Sequence, residues 1–285
     1  MTKLSHGSHL AALNDVQLHY SVIGEGPPLV VTSPGWGIGM APYFEFAPLG
    51  KEFTLILLDT RGSGKSTRPA DPTQMGSATM ADDIEELRQY LELDSIDVMG
   101  HSNGGAIALA YAARHRTNLR KLVLIDSQLI GFSGKEATEK FVQAGANDPR
   151  YQAAVPHVGL PLPDTDEECT QYVRRLLPLF FHDPEKNLPL FEPSVKGPIS
   201  AWASRTQGAA DRLPSAVQTS ILGDIRAKSL ILVGRYDWIC PVIVSERIHA
   251  GIRDSELVVF EQSGHMPWIE EPERFFAEIR RFLGK

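Results

Sequence analysis

Two runs near the start of the chain alternate apolar and polar positions, His9 to Leu13 and Val16 to Ile23, with Asn14-Asp15 between them. Alternation is the period of a half-buried strand, and an Asn-Asp pair suits a tight turn, so the two runs predict an antiparallel hairpin. The pattern then changes. Leu29 to Thr32, Phe53 to Leu58, Ile96 to Met99, Lys121 to Ile125, Ser229 to Val233 and Glu256 to Phe260 are mostly apolar on both faces, while Met80 to Leu91, Gly104 to Arg114 and Pro272 to Leu283 carry helical spacing. Strands apolar on both faces need cover on both sides. The chain is therefore expected to be an α/β fold, a mostly parallel eight-stranded sheet with helices on both faces and the hairpin as its antiparallel edge.

The strand-helix rhythm stops between Ile125 and Ser229. An α/β connection usually takes roughly 2 to 6 residues, so a gap this long holds an insertion. It contains a helical pattern at Glu167 to Leu179 and the prolines Pro178, Pro184, Pro189, Pro193 and Pro198. Residues 131–212 are read as a helical cap over the C-terminal edge of the sheet, and residues 1–130 with 213–285 as the core domain. The cap is expected to set substrate choice without taking part in the chemistry.

The candidate chemistry begins where Ile96-Asp97-Val98-Met99 runs into Gly100-His101-Ser102-Asn103-Gly104-Gly105 and on into an apolar helix. This is G-x-S-x-G in the strand-turn-helix setting the motif requires, where the glycines let strand and helix close around a strained serine. A serine hydroxyl needs a base to take its proton and a third group to hold that base. Asp237 follows the strand ending at Val233 and His265 follows the strand ending at Phe260. The predicted catalytic set is Ser102 as nucleophile, His265 as general base and Asp237 as the acid that orients it. Asp126 also follows a strand and is the rival acid. Acyl transfer further needs two N–H donors for an oxyanion. The backbone of Asn103 is one; the other is assigned to Trp36, with Gly37 as its competitor, in the glycine-rich loop Ser33-Pro34-Gly35-Trp36-Gly37-Ile38-Gly39.

Aromatic residues in the loops and cap supply candidate substrate contacts: Trp36, Tyr172, Phe180, Phe181, Trp202 and Trp238. Arg61-Gly62-Ser63-Gly64-Lys65-Ser66 ends like a phosphate-binding loop, but that pattern needs glycine where Asp59 stands. The two cysteines, Cys169 and Cys240, and the histidines show no metal-ligand spacing, so neither a metal nor another cofactor is expected. A net charge of -7 argues against a nucleic-acid or anionic-membrane partner. No stretch approaches the ~20 apolar residues of a membrane span, and Met1 to Leu13 lacks a signal-like apolar run. A cytoplasmic protein acting on a small molecule is expected; the sequence leaves the oligomeric state open.

Together Asp59-Thr60-Arg61-Gly62-Ser63-Gly64-Lys65-Ser66, the Ser102 turn, Gly234-Arg235-Tyr236-Asp237, and Ser263-Gly264-His265 followed by Pro267 and Glu271-Pro272 resemble the α/β-hydrolase superfamily over nearly the whole chain. The resemblance implies a serine hydrolase, most simply one that cleaves a small apolar ester or lactone through an acyl-enzyme. The stretch Tyr172 to Pro184 is similar to proline iminopeptidases, although Ser33-Pro34-Gly35-Trp36-Gly37 and Gly100-His101-Ser102-Asn103-Gly104 depart from their motifs. Peptide-end cleavage, carbon-carbon bond hydrolysis and a receptor-like protein with little turnover remain open at this point.

Overall fold

The computed structural model of the chain describes residues 3–195 and 197–284. Its strands are β1 (Gly7–Leu13), β2 (Val16–Ile23), β3 (Pro28–Thr32), β4 (Thr54–Leu58), β5 (Ile96–His101), β6 (Leu119–Ile125), β7 (Lys228–Gly234) and β8 (Ser255–Phe260). They form one sheet in the order β1-β2-β4-β3-β5-β6-β7-β8. β2 pairs antiparallel with β1 and with β4, and from β4 onward every pairing is parallel. Asn14 and Asp15 both have positive φ, 44° and 61°, as the tight hairpin turn requires.

Successive strand residues point to opposite faces, and the core divides accordingly. Val30, Ile56, Leu58, Val98, Leu122, Leu124 and Ile231 pack on one side with α1 (Ser77–Tyr90), α2 (Asn103–Arg114) and residues that include Val244 and Ile248. Leu29, Val31, Leu55, Leu57, Met99, Val123, Leu230 and Leu232 pack on the other, against residues 41–51 and the C-terminal helix Pro272–Leu283. Each such side chain is fully buried, worth about 1.5–3 kcal/mol relative to exposure.

Among the described residues between β6 and β7 lie four α-helices, α3 (Lys135–Gly145), α4 (Asp166–Leu176), α5 (Pro184–Phe191) and α6 (Ala201–Asp211). α4 stops three residues short of the expected Leu179. Pro178 has no N–H to continue the ladder, and Leu177–Phe180 tightens into a 3-10 turn. The motif that mimics a phosphate loop is instead a buried polar knot. Arg61 is a bidentate donor to Asp83, at 2.7 and 2.6 Å. Asp59 accepts from the backbone N–H of Met40 and Lys65.

Candidate functional site

β3 and β5 are neighbours in the sheet, so the loops leaving their carboxyl ends meet. β5 delivers Ser102 at φ 57° and ψ −124°, a conformation a side chain occupies only under strain. Close approach explains the glycine two residues earlier: a Cβ at Gly100 would stand 2.1 Å from Gly104 O. The turn is pinned by backbone bonds, with Ser102 N–H donating to Ile125 O and Ser102 O accepting from Gly105 and Gln128.

The loops after β7 and β8 bring the other two predicted residues together. His265 Nδ1 lies 2.8 Å from Asp237 Oδ2, with both side chains almost fully buried. Asp237 Oδ1 accepts from the N–H groups of Ile239 (2.8 Å) and Cys240 (3.0 Å), so the carboxylate is held at both oxygens. With Nδ1 facing Asp237, Nε2 is the nitrogen left for a substrate-side proton. His101 lies beside it, the rings tilted by 52° with centroids 4.4 Å apart. Burial, reinforced by the His265 ring, holds His101 well below the usual histidine range. His101 is therefore neutral. Its Nε2 donates to His265 O and its Nδ1 accepts from Tyr43 OH.

The rival acid has a different place. Asp126 is fully buried, and its Oδ1 accepts from Gly234 N–H at 2.8 Å. Oδ2 has no donor near it. Burial, with the Asp237 charge added, pushes the Asp126 carboxyl well above the ordinary range. Two carboxylates repel, whereas a proton on Asp126 Oδ2 turns the same approach to Asp237 into a hydrogen bond. Cys240 completes the cluster. Burial, with the Asp237 and Asp126 carboxyls added, pushes its thiol well above the usual thiol range. The donor atoms of Asp237, Cys240 and His265 lie within 4.8 Å of one another, a set that can ligate zinc. An ion there would have to displace the proton shared by His265 and Asp237.

In the loop after β3, Gly35, Trp36 and Gly37 have consecutive positive φ of 66°, 53° and 75°, the left-handed region that glycine adopts freely and Trp36 only under strain. Trp36 N–H is not free. It donates to Oε1 of Gln207 on α6 at 2.6 Å. A Cβ at Gly35 would stand 2.4 Å from that oxygen, which is why a glycine occupies the position.

Over Ser102 and His265 lies a cavity of about 290 Å³. Trp36 and Phe180 line it together with Tyr43, Phe191, Ile239 and Trp268. The structure does not place the other four predicted contacts on it. Phe181 is fully buried against Phe191, and Trp238 packs in a separate cluster with Tyr151 and Leu179. Trp202 packs against the α1–α2 side of the core under Arg68. Tyr172 lines a separate surface groove beside Leu160 and Glu168.

A family model described as alpha/beta hydrolase fold matches residues 28–272. The chain belongs to the alpha/beta hydrolase family. Among similar proteins of this family, AB hydrolase superfamily protein YisY of Bacillus subtilis (strain 168) is 29% identical over 293 residues, covering 97% of this chain and 98% of that protein. A protein named proline iminopeptidase from Heyndrickxia coagulans is 27% identical, with 91% of each chain covered. An esterase from Exiguobacterium antarcticum superposes with a TM-score of 0.75 at 24% identity, over 99% of this chain and 100% of that one, a likeness of fold.

In this hydrolase several site residues escape a reading of the sequence. Gln207 sits on a polar-looking helix, and its own burial is set by the loop after β3 that it meets. Glu270 accepts from four donors, the N–H groups of Gly264, His182 and Asp183 and the side chain of Asn187, and so ties the His265 loop to the inserted segment. Phe180 O accepts from His265 N–H at 2.7 Å. The Glu270-Glu271 pair just after the His265 loop is the signal that was available.

Proposed function

We propose that this hydrolase cleaves a small, largely apolar carboxylic ester or lactone through an acyl-enzyme on Ser102. The observation that carries the reading is the cavity. Ser102 and His265 share its wall, and among the described residues its lining includes no Lys, Arg, Asp or Glu. A neutral apolar acyl group suits such a wall; a charged one would be desolvated without a partner.

The chemistry follows from the donors and acceptors. His265 Nε2 takes the Ser102 Oγ proton as Oγ bonds to the carbonyl carbon, and the carbonyl electron pair moves onto oxygen. The backbone N–H groups of Trp36 and Asn103 receive that oxyanion. Collapse expels the alkoxide, which takes the proton from His265. Water then attacks the acyl-enzyme by the same route and releases the acid. Asp237 holds Nδ1–H throughout and stabilises the imidazolium. The steps balance with no cofactor and a small molecule as the only partner. A cytoplasmic setting fits the two free cysteines, and no helix among the described residues is long and apolar enough to cross a membrane.

An iminopeptidase-like reading would need an acid in the cavity to hold a free amino group. The candidates Glu167, Glu168, Glu185 and Glu192 are all exposed and none lines it. The test is a fluorophosphonate label mapped by mass spectrometry, followed by a panel of p-nitrophenyl esters, lactones and aminoacyl anilides. Label on Ser102 with turnover of neutral esters is expected. Preference for aminoacyl anilides would move the assignment to a peptidase, and label without turnover of any substrate would favour a ligand-binding protein.

A further inference from the structure

We propose that Gln207 is the resting occupant of the oxyanion donor at Trp36, and so a positioning residue through which the inserted helices govern formation of the acyl-enzyme. This rests on the reading of Ser102 as nucleophile and of Trp36 N–H as oxyanion donor.

The N-terminal cap of α6 and the helix itself present Ser200, Ser204, Gln207 and Gly208 at spacings of four, seven and eight residues, which places them on one helical face. Each meets the loop after β3. Ser200 N–H donates to Gly37 O at 3.2 Å. Ser204 Oγ donates to Trp36 O, and Trp36 N–H donates to Gln207 Oε1 at 2.6 Å. At Gly208 an added Cβ would come within 3.1 Å of the Trp36 ring. The loop is thus gripped at the residue proposed to stabilise the transition state.

The partner on that N–H is a carbonyl oxygen, the same kind of atom as the substrate's. Donors in an oxyanion site stand about 2.7–3.1 Å from the oxyanion, so Gln207 Oε1 occupies the distance shell the substrate oxygen needs. The orientation of its amide is fixed chemically. Trp36 N–H can only donate, so Oε1 faces it and Nε2 donates to Asn103 Oδ1. Asn103 Nδ2 in turn donates to Gln128 Oε1 at 3.1 Å, and Gln128 lines the cavity. The relay runs from the oxyanion donor to the substrate chamber through three buried or half-buried amides.

A neutral ester carbonyl competes with Gln207 on even terms. An oxyanion does not, because a hydrogen bond to a charged acceptor is roughly twice as strong as a neutral one. Gln207 therefore yields as charge develops, and its release is part of the barrier to acylation. Removing its amide should lower that barrier.

The experiment compares labelling of Ser102 by a small ethyl fluorophosphonate, and kcat/KM on p-nitrophenyl acetate, in the full chain and in Gln207→Ala and Gln207→Glu, with thermal unfolding checked for each. A crystal structure of the wild-type phosphonate adduct accompanies them. Gln207→Ala should be faster by roughly 2- to 12-fold, the range of one net hydrogen bond. Gln207→Glu should be slower than wild type, since a carboxylate holds the N–H harder and repels the oxyanion. In the adduct the phosphoryl oxygen should lie on Trp36 N with the Gln207 amide turned away. A buttress would behave otherwise: both variants slower, or an adduct with Gln207 still on Trp36 N–H, overturns the proposal. If Gln207→Ala does not fold, the wild-type adduct decides alone. A wild type that takes no label at Ser102 sinks the serine-hydrolase reading and this inference with it, whereas a labelled Ser102 beside an unmoved Gln207 sinks only the inference.

Discussion

Asp237 faces His265 and the buried Asp126 interacts with Asp237, and the pair Asp237→Asn and Asp126→Asn should separate their roles by several powers of ten. Asp237 Oδ1 already accepts two backbone N–H groups, from Ile239 at 2.8 Å and Cys240 at 3.0 Å, while Oδ2 faces His265 Nδ1 at 2.8 Å. An asparagine keeps its oxygen on the two N–H donors and turns its NH2 toward the imidazole. Two donors cannot bond, so the ring adopts the tautomer with hydrogen on Nε2 and has no lone pair for the Ser102 proton. The expected loss is about 10⁴ in kcat, the effect of this change in a serine-protease triad. Asp126→Asn works the other way. Its oxygen stays on Gly234 N–H and its NH2 can donate toward Asp237 as a proton on Asp126 Oδ2 would, so kcat should stay within roughly 3-fold, under 1 kcal/mol. Stability supplies an independent check. The folded state holds the Asp126 proton more tightly than the unfolded chain, because burial and the Asp237 charge raise its pKa. Wild-type stability therefore falls as pH rises from the ordinary carboxylate range toward that raised pKa, by up to about 1.4 kcal/mol per pH unit. The asparagine variant lacks this term and should gain on wild type as pH rises, with the difference constant below the ordinary range. Steady-state rates on a p-nitrophenyl ester and urea midpoints across pH measure both. Near-normal rates for Asp237→Asn beside an inactive Asp126→Asn would transfer the orienting role to Asp126, and equal pH slopes of stability would refute the protonated pair.

Ser102→Ala should lose on the order of 10⁶ in kcat while keeping the wild-type unfolding midpoint, since it removes one oxygen and no core contact; retained hydrolysis would undo the assignment. Phe180→Ala should shift kcat/KM between a bulky and a short ester by about 10- to 200-fold, because its ring lines the cavity and meets His265 edge-on at 5.6 Å. Trp202→Ala, which faces the α1–α2 core, should leave that ranking unchanged when both are assayed on the same two esters. Glu270→Gln turns an acceptor into a donor among four N–H groups. It should cost about 1–3 kcal/mol of stability and lower kcat on short and bulky esters alike; a loss confined to bulky esters would mean Glu270 serves only the cavity.

The sheet and the serine turn were legible because their causes are local. Strands apolar on both faces announce their own burial, and Gly100 is demanded by contact with Gly104 within five residues of chain, although Gly104 itself meets Thr32 and Ser33 of the distant β3 end. The acid was less legible, since Asp126 and Asp237 both follow strands and only the fold shows which one faces the imidazole nitrogen and which one faces Gly234 N–H. Aromatic residues in the insertion were least legible. Phe180 and Phe181 are adjacent, yet one lines the cavity and the other is sealed in the core, a difference set by a 3-10 turn that Pro178 induces. Gln207 carried no signal at all. A glutamine on a short amphipathic helix suggests a solvated position, and its burial depends on a backbone N–H 171 residues away.

These distant contacts bear on how labour is divided between the sheet and its insertion. Judged from sequence, the sheet loops would hold every reacting group and residues 131–212 would only shape the substrate. Yet His265 N–H donates to Phe180 O, Gly264 N–H donates to a Glu270 that also holds His182, Asp183 and Asn187, and Trp36 N–H donates to Gln207. The loops of the proposed base and of the proposed oxyanion donor are thus each bonded through backbone N–H to inserted residues or to a carboxylate that inserted residues share. Tenths of an ångström in those bonds alter donor and base geometry directly, and catalysis is steeply sensitive to such placement. An insertion fixed in this way is a support for the reacting geometry as well as a wall of the cavity, so exchanging it wholesale for another protein's segment would disturb rate and selectivity together.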